Sequence, residues 1–148
     1  MAHTYISQLI HVVFSTKSRR DILPEQNLEE VWSYVAGIAR HNGFKAVAVG
    51  ETRNHTHVLL SLPATISLSK AVQLIKGGSS KWIHEKFGRD FAWQEAYGAF
   101  TIGVSQIDPT VAYIKSQEAH HSKASFEVEF LSILKRHGIE YDERYVWG

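Results

Sequence analysis

The chain of 148 residues contains no cysteine, one methionine and three prolines. The absence of cysteine excludes disulfides, thiolate metal sites and a cysteine nucleophile, so any metal ion must be held by imidazole, carboxylate or amide groups. No apolar run approaches the roughly 20 residues that cross a membrane as a helix. Residues 1–8 lack the basic and then apolar pattern of an export signal, so we expect a cytoplasmic protein without membrane contact.

A strong excess of one charge is also missing. Lysine and arginine number 16 against 15 aspartates and glutamates, which gives a net charge of +1. This balance does not by itself indicate a nucleic-acid-binding protein. The basic residues are grouped, however, and the candidates for contact with a DNA backbone are Lys17, Arg19, Arg20, Lys76 and Lys81. Solvated loops and helix faces are the alternative interpretation.

The order of predicted elements points to one domain over residues 1–148, long enough to bury a core. Periodicity predicts strands at 4–16, 44–51, 54–62 and 91–104. It predicts helices at 24–41, 67–88, 108–121 and 125–137, the second interrupted at Gly77 and Gly78. The order β-α-β-β-α-β is the ferredoxin-like (RRM-like) α+β plan, here with two added C-terminal helices. We therefore expect a four-stranded antiparallel sheet.

Two local features leave alternatives open. Gly77 and Gly78 together cost a helix roughly 2 kcal/mol relative to alanines, and either a packing kink or close approach of a nucleic-acid backbone would explain them. The fourth predicted strand is rich in aromatic residues, most of which we assign to the core. Trp93, Gln94 and Glu95 are the exceptions, as candidates for contact with unpaired bases.

Two histidines share one face of the third predicted strand. Because side chains alternate along a strand, His55 and His57 point the same way, while Thr56 and Val58 belong to the opposite, apolar face. Two imidazoles at this spacing can hold one divalent ion. The alternative is a pair of polar side chains that face solvent.

A tyrosine and a glutamine share one face of the third predicted helix. Asp108 is a suitable N-cap and Pro109 suits the first helical position. Tyr113 and Gln117 are then four residues apart and neighbours in space. A phenol is a possible nucleophile and an amide oxygen a possible ligand for a hard metal ion. A core tyrosine and a solvated glutamine are the alternative.

The combination of the His55-x-His57 strand with a helix that carries Tyr113-x-x-x-Gln117 resembles the HUH-superfamily transposases with a single catalytic tyrosine, the IS200-like family. These are enzymes of small bacterial insertion sequences that move as single-stranded DNA. Three further stretches, residues 12–17, 76–82 and 138–145, are similar to that family, so the resemblance covers nearly the whole chain. Thr56 departs from it, because the family usually has a bulkier hydrophobe there.

The resemblance implies an enzyme that cleaves and rejoins single-stranded DNA at element ends through a 5′-phosphotyrosine on Tyr113. It implies a divalent ion, Mg²⁺ or Mn²⁺, held by His55, His57 and Gln117. It also implies recognition of a DNA hairpin near each element end, and a homodimer in which the tyrosine helix of one subunit can serve the histidine pair of the other.

Two other functions share parts of these features. A non-catalytic single-stranded nucleic-acid-binding protein would use the sheet aromatics and basic loops but has no need of Tyr113 and Gln117. A metal-dependent phosphodiesterase would share the metal site and use water as its nucleophile. Removal of the Tyr113 hydroxyl separates the three functions.

Overall fold

The computed structural model describes residues 4–21, 23, 27–88, 91–116 and 125–147. The strands are β1 (Leu9–Ser15), β2 (Lys45–Glu51), β3 (His55–Ser61) and β4 (Gly98–Ile102). The longer helices are α1 (Leu28–His41), α2 (Leu68–Phe87), α3 (Ile107–Lys115) and α4 (Phe126–Arg136). Among these described residues, no helix is both long enough and apolar enough to span a membrane.

The four strands form one antiparallel sheet in the order β2-β3-β1-β4. This is the ferredoxin-like arrangement that the element order predicted, and the fold prediction is confirmed. β1 and β3 are the central strands, and β1 is buried along its whole length. β1 is shorter than its predicted range, because residues 4–8 precede its first paired position.

One face of the sheet packs against α1 and α2. The cluster on this face includes Ile10, Val12 and Phe14 from β1, Val58 and Leu60 from β3, Val31 and Val35 from α1, and Ala71, Val72 and Ile75 from α2. These residues lie on one face of each strand and in one stripe of each helix, as strand alternation and helical periodicity require. β3 therefore turns its histidines to the opposite face.

The glycine pair does not interrupt α2, and that part of the prediction is wrong. The helix continues through Gly77 and Gly78, and Ser67 caps it by accepting a hydrogen bond from the Lys70 N–H at 3.1 Å. A Cβ on Gly78 would lie 2.9 Å from Ile38 Cδ1 on α1, whereas one on Gly77 would meet nothing within 4 Å. Close packing of the two helices explains Gly78.

The second face of the sheet is covered by α3, α4 and the segment 139–147. Leu59 of β3 packs in one cluster with Ile114 of α3, and Val13 and Phe100 of the sheet pack in another with Phe126 of α4. Ser125 caps α4 by accepting a hydrogen bond from the Val128 N–H at 3.3 Å. At the other end Gly138 has φ 65°, and the Ile139 N–H donates to Leu134 O at 3.0 Å. This is a Schellman-type cap.

The aromatic stretch before β4 is a loop that belongs to the core rather than the start of a long strand. Trp93 and Gln94 are both buried, with 8% and 4% of their surface exposed. The Trp93 Nε1–H donates to Ser79 Oγ at 3.0 Å, and Gln94 Oε1 accepts from the Ser15 N–H at 2.6 Å. Both side chains have structural partners, so the proposal that they contact unpaired bases is wrong for these two; Glu95 is exposed.

Candidate active site

The two histidines of β3 are fully buried beneath α3 and α4. His55 Nδ1 lies 2.8 Å from Thr52 Oγ1 and 2.9 Å from Asn54 Oδ1, and His57 Nδ1 lies 2.8 Å from His11 Nε2. Because these contacts engage Nδ1 of each ring, Nε2 is the nitrogen that each ring would present to a metal ion. The turn before β3 and the neighbouring strand β1 thus fix the orientation of both imidazoles.

Glu129 on α4 completes a three-residue group with these histidines. Its Oε1 lies 2.8 Å from His57 Nε2, and His55, His57 and Glu129 each offer one ligand atom, all within 4.8 Å of one another. Two adjacent ligands about 2.1 Å from an octahedrally bound ion are roughly 3 Å apart. Two imidazoles and a carboxylate at these separations could hold a divalent ion.

The sequence contains a signal for Glu129 that the predicted set of ligands omits. Glu129 follows Phe126 by three positions and precedes Ile133 by four, so it lies within the buried stripe of α4. A carboxylate is rarely placed there unless it is paired or binds a metal. Gln117, the third ligand predicted from the sequence, lies outside the described residues.

His11 on β1 is a second residue of this face to which no sequence motif assigned a role. Burial, followed by repulsion from a charged His57, lowers the pKa of His11 from 6.5 to about 3. The ring therefore stays neutral near physiological pH. A neutral imidazole offers one donor and one acceptor, so His11 can share a single proton with His57 Nδ1.

Tyr113 lies beside the histidines, in the last turns of α3. Its ring centroid is 5.5 Å from that of His57 and 6.0 Å from that of His11, and the side chain is partly exposed. The structure thus brings the tyrosine of α3 and the two histidines of β3 together. α3 begins at Ile107, with Gln106 as its N-cap. Asp108 lies in the first turn, so the prediction that it caps the helix is wrong.

The predicted DNA-contact residues occupy two different places. Lys17, Arg19 and Arg20 follow Ser15, whose register partner is His55. Lys17 and Arg20 are exposed. The Arg19 guanidinium lies 4.7 Å from the centre of the Trp147 ring and 3.5 Å from Glu127 Oε1. This basic turn is therefore close to the histidine pair.

Lys76 and Lys81 are on α2, across the sheet from the histidines. The Lys76 ammonium donates to Gln94 O at 2.6 Å and to Glu95 O at 3.1 Å, and burial lowers its pKa. These contacts tie α2 to the loop before β4. Lys81 is exposed.

A family model and two known sequences that match this chain agree with one another. The family model described as "Transposase IS200 like" matches residues 4–117. The transposase for insertion sequence element IS200 of Salmonella typhimurium (strain LT2) is 28% identical over 111 residues, which cover 70% of this chain and 72% of the relative. The corresponding transposase of Salmonella typhi has the same identity and coverage.

Two solved structures share the fold. A candidate transposase from Deinococcus radiodurans R1 superposes with a TM-score of 0.62 at 20% identity, covering 78% of this chain and 97% of the other. A REP-associated tyrosine transposase bound to a REP hairpin superposes with a TM-score of 0.61 at 18% identity, covering 84% and 74%. At these identities the superpositions establish the architecture alone.

Proposed function

The chain belongs to the IS200-like transposase family, and we propose that it cleaves and rejoins single-stranded DNA with Tyr113 as the nucleophile. One observation carries the assignment of Tyr113. Its ring lies 5.5 Å from that of His57, which is itself part of the group of His55, His57 and Glu129. A phenol in this place offers a nucleophile, and two oriented imidazoles and a carboxylate offer ligands for a divalent ion, which together suit phosphoryl transfer to tyrosine.

In the proposed cleavage step, the Tyr113 oxygen loses its proton and attacks the scissile phosphorus. A bond forms between that oxygen and phosphorus, the bond from phosphorus to the 3′ oxygen breaks, and the departing oxygen takes up a proton as a 3′-hydroxyl. The phosphotyrosine keeps the energy of the phosphodiester, so a 3′-hydroxyl can reverse the attack without ATP. A phenoxide leaves more readily than a serine alkoxide would, which favours this reversal.

His55, His57 and Glu129 would hold the divalent ion, and Gln117 remains the further ligand predicted from the sequence. A bound Mg²⁺ or Mn²⁺ would supply positive charge to the phosphate as negative charge builds on its oxygens. The protein's own part is to fix the imidazoles through Thr52, Asn54 and His11. With these rings held in place, less reorganisation is needed when DNA binds.

The proposal extends to the partners of the chain. The solved relative that carries a REP hairpin supports recognition of a DNA hairpin by this chain as well. We expect a homodimer acting in the cytoplasm on element ends. Tyr113 lies beside His57 of its own chain, so a site of this composition can be assembled within one subunit before any exchange of tyrosine helices between subunits.

Substitution of Tyr113 by phenylalanine tests the proposal. The protein would be mixed with end-labelled single-stranded DNA from the flanks of its gene, with Mg²⁺ or Mn²⁺, and the products separated on a denaturing gel. We expect the wild type to give cleaved DNA and a labelled protein–DNA adduct, and Tyr113→Phe to give neither. Tyr34→Phe is a matched control, because Tyr34 stacks on Trp82 on the other face of the sheet.

Other outcomes identify the alternatives. Cleavage by Tyr113→Phe without an adduct would contradict the proposal and indicate a phosphodiesterase that uses water. Tight DNA binding by the wild type, with no cleavage on any flanking strand, would indicate a non-catalytic binding protein.

A further inference from the structure

A cleft opens between α3 and α4 beside Tyr113. Its volume is about 310 Å³. His11 and Phe100 on the sheet form its base, Thr110 and Tyr113 line it from α3, and Arg136 and His137 line it from the end of α4. Because His11 contacts His57 at 2.8 Å, the cleft adjoins the candidate active site.

The chemical character of the cleft suits one nucleotide. The volume is at the lower end of the range of about 300–1,000 Å³ for small-molecule sites. The Phe100 and His137 rings lie 4.6 Å apart, and the His11 and Tyr113 rings 6.0 Å apart, which gives an aromatic surface for a base. Arg136 is exposed at the rim, where a guanidinium can pair with a phosphate.

We propose that this cleft binds the nucleotide on the 3′ side of the scissile phosphate, the one that becomes covalently attached to Tyr113. The inference rests on the proposed function of Tyr113 as nucleophile. After cleavage the 3′-hydroxyl strand is free to leave, whereas the other strand stays bonded to the tyrosine oxygen until rejoining. Its first nucleotide therefore needs a place beside the tyrosine ring, and the cleft adjoins that ring. A nucleotide held there would keep the phosphotyrosine oriented for the reverse attack.

The experiment combines a variant that fills the cleft with DNA that lacks one base. The cleavage position is first mapped with the wild type, and strands are then made with a single abasic site immediately 3′ or immediately 5′ of it. Thr110→Trp fills the cleft from a half-exposed position. The rate of adduct formation is measured at subsaturating DNA.

We expect the 3′ abasic site to slow adduct formation by the wild type about tenfold, as loss of one stacked base would. Thr110→Trp should react slowly with intact DNA and show no further loss with the 3′ abasic strand, while the effect of the 5′ abasic site stays the same in both proteins. The proposal would be overturned if the 3′ abasic site slowed adduct formation equally in Thr110→Trp and in the wild type. It would also be overturned if Thr110→Trp removed the effect of the 5′ abasic site instead.

Arg136→Gln provides a second test that does not depend on the folding of the filled variant. We expect it to raise the DNA concentration for half-maximal adduct formation several-fold, while Arg40→Gln, on the other face of the sheet, has no effect. If the two variants reached half-maximal adduct formation at the same DNA concentration, the role of Arg136 would be overturned. Wild-type adducts that are insensitive to the abasic site would refute the nucleotide site alone, whereas no adduct on any strand would refute the proposed function and the site with it.

Discussion

Glu129 places a carboxylate where the rest of α4 buries apolar side chains. Its Oε1 lies 2.8 Å from His57 Nε2, and its side chain is only 10% exposed. A buried carboxylate beside an imidazole is stabilised either by a positive charge on the histidine or by a shared cation. The grouping with His55 favours the cation.

Glu129→Gln tests this assignment, because glutamine keeps the shape and the carbonyl oxygen but removes the charge. We expect the affinity for Mn²⁺, measured by calorimetry on the full chain, to fall by at least about tenfold. Glu127→Gln is the matched control: Glu127 is two residues away on α4 and its Oε1 lies 3.5 Å from Arg19 instead. If Glu129→Gln binds Mn²⁺ like the wild type while Gln117→Ala does not, Gln117 rather than Glu129 is the third ligand.

Among the residues of the site, the sequence predicted those that a local pattern marks. Strand alternation placed His55 and His57 on one face, and helical spacing placed Tyr113 on the added helix. His11 and Glu129 were missed because their role depends on which strand pairs with β3 and which helix covers it. Those contacts join residues 46 or more positions apart and have no short-range signature.

The position of α3 depends on a glycine of the neighbouring strand. A Cβ on Gly50 in β2 would lie 2.0 Å from the carbonyl oxygen of Ile114, the residue after Tyr113. Backbone atoms cannot yield as the tip of a side chain can, so the helix would have to move. The close approach of β2 and α3 thus sets the height of Tyr113 above the sheet.

Gly50→Ala should therefore displace the tyrosine helix. We expect a destabilisation of about 1–3 kcal/mol, as in other overpacked sites, and a fall in adduct formation of more than about tenfold where the variant is still folded. Chemical denaturation and the adduct assay measure the two effects. Gly77→Ala is the stability control, and we expect it to stabilise α2 by up to about 1 kcal/mol, because nothing lies within 4 Å of its Cβ. Normal adduct formation by Gly50→Ala would contradict the role of this contact.

Element boundaries were harder to predict than element order. The double glycine in α2 signals a helix end by local propensity, but packing against Ile38 overrides it. The aromatic stretch before β4 has the composition of a strand, yet it pairs with the chain after β1 through an isolated bridge between Thr16 and Trp93 and not as a continuous ladder. The side chains of Trp93 and Gln94 form hydrogen bonds within the core. In both places tertiary contacts decide between local alternatives of similar energy.

In the whole molecule, the second face of the sheet is closed partly by the segment after α4. Trp147 lies 5.9 Å from the Phe130 ring, its carbonyl accepts a hydrogen bond from Gln94 Nε2 at 2.9 Å, and Arg19 stacks on it. The order of elements predicted a four-stranded antiparallel sheet but gave no position for this segment. Its docking depends on a surface that only the assembled layers create.

Trp147→Ala tests how far this docking supports the site. We expect a loss of about 2 kcal/mol in the free energy of unfolding, smaller than for a fully buried tryptophan, because Trp147 is only partly buried. Phe126 contacts both Trp147 and His55, whose rings lie 6.2 and 4.5 Å away, so the affinity for Mn²⁺ should fall as well. Tyr145→Ala, at an exposed position in the same segment, should change stability by less than about 0.5 kcal/mol. Equal stability of the two variants in chemical denaturation would mean that the segment contributes little to the layer that holds Glu129 over the histidines.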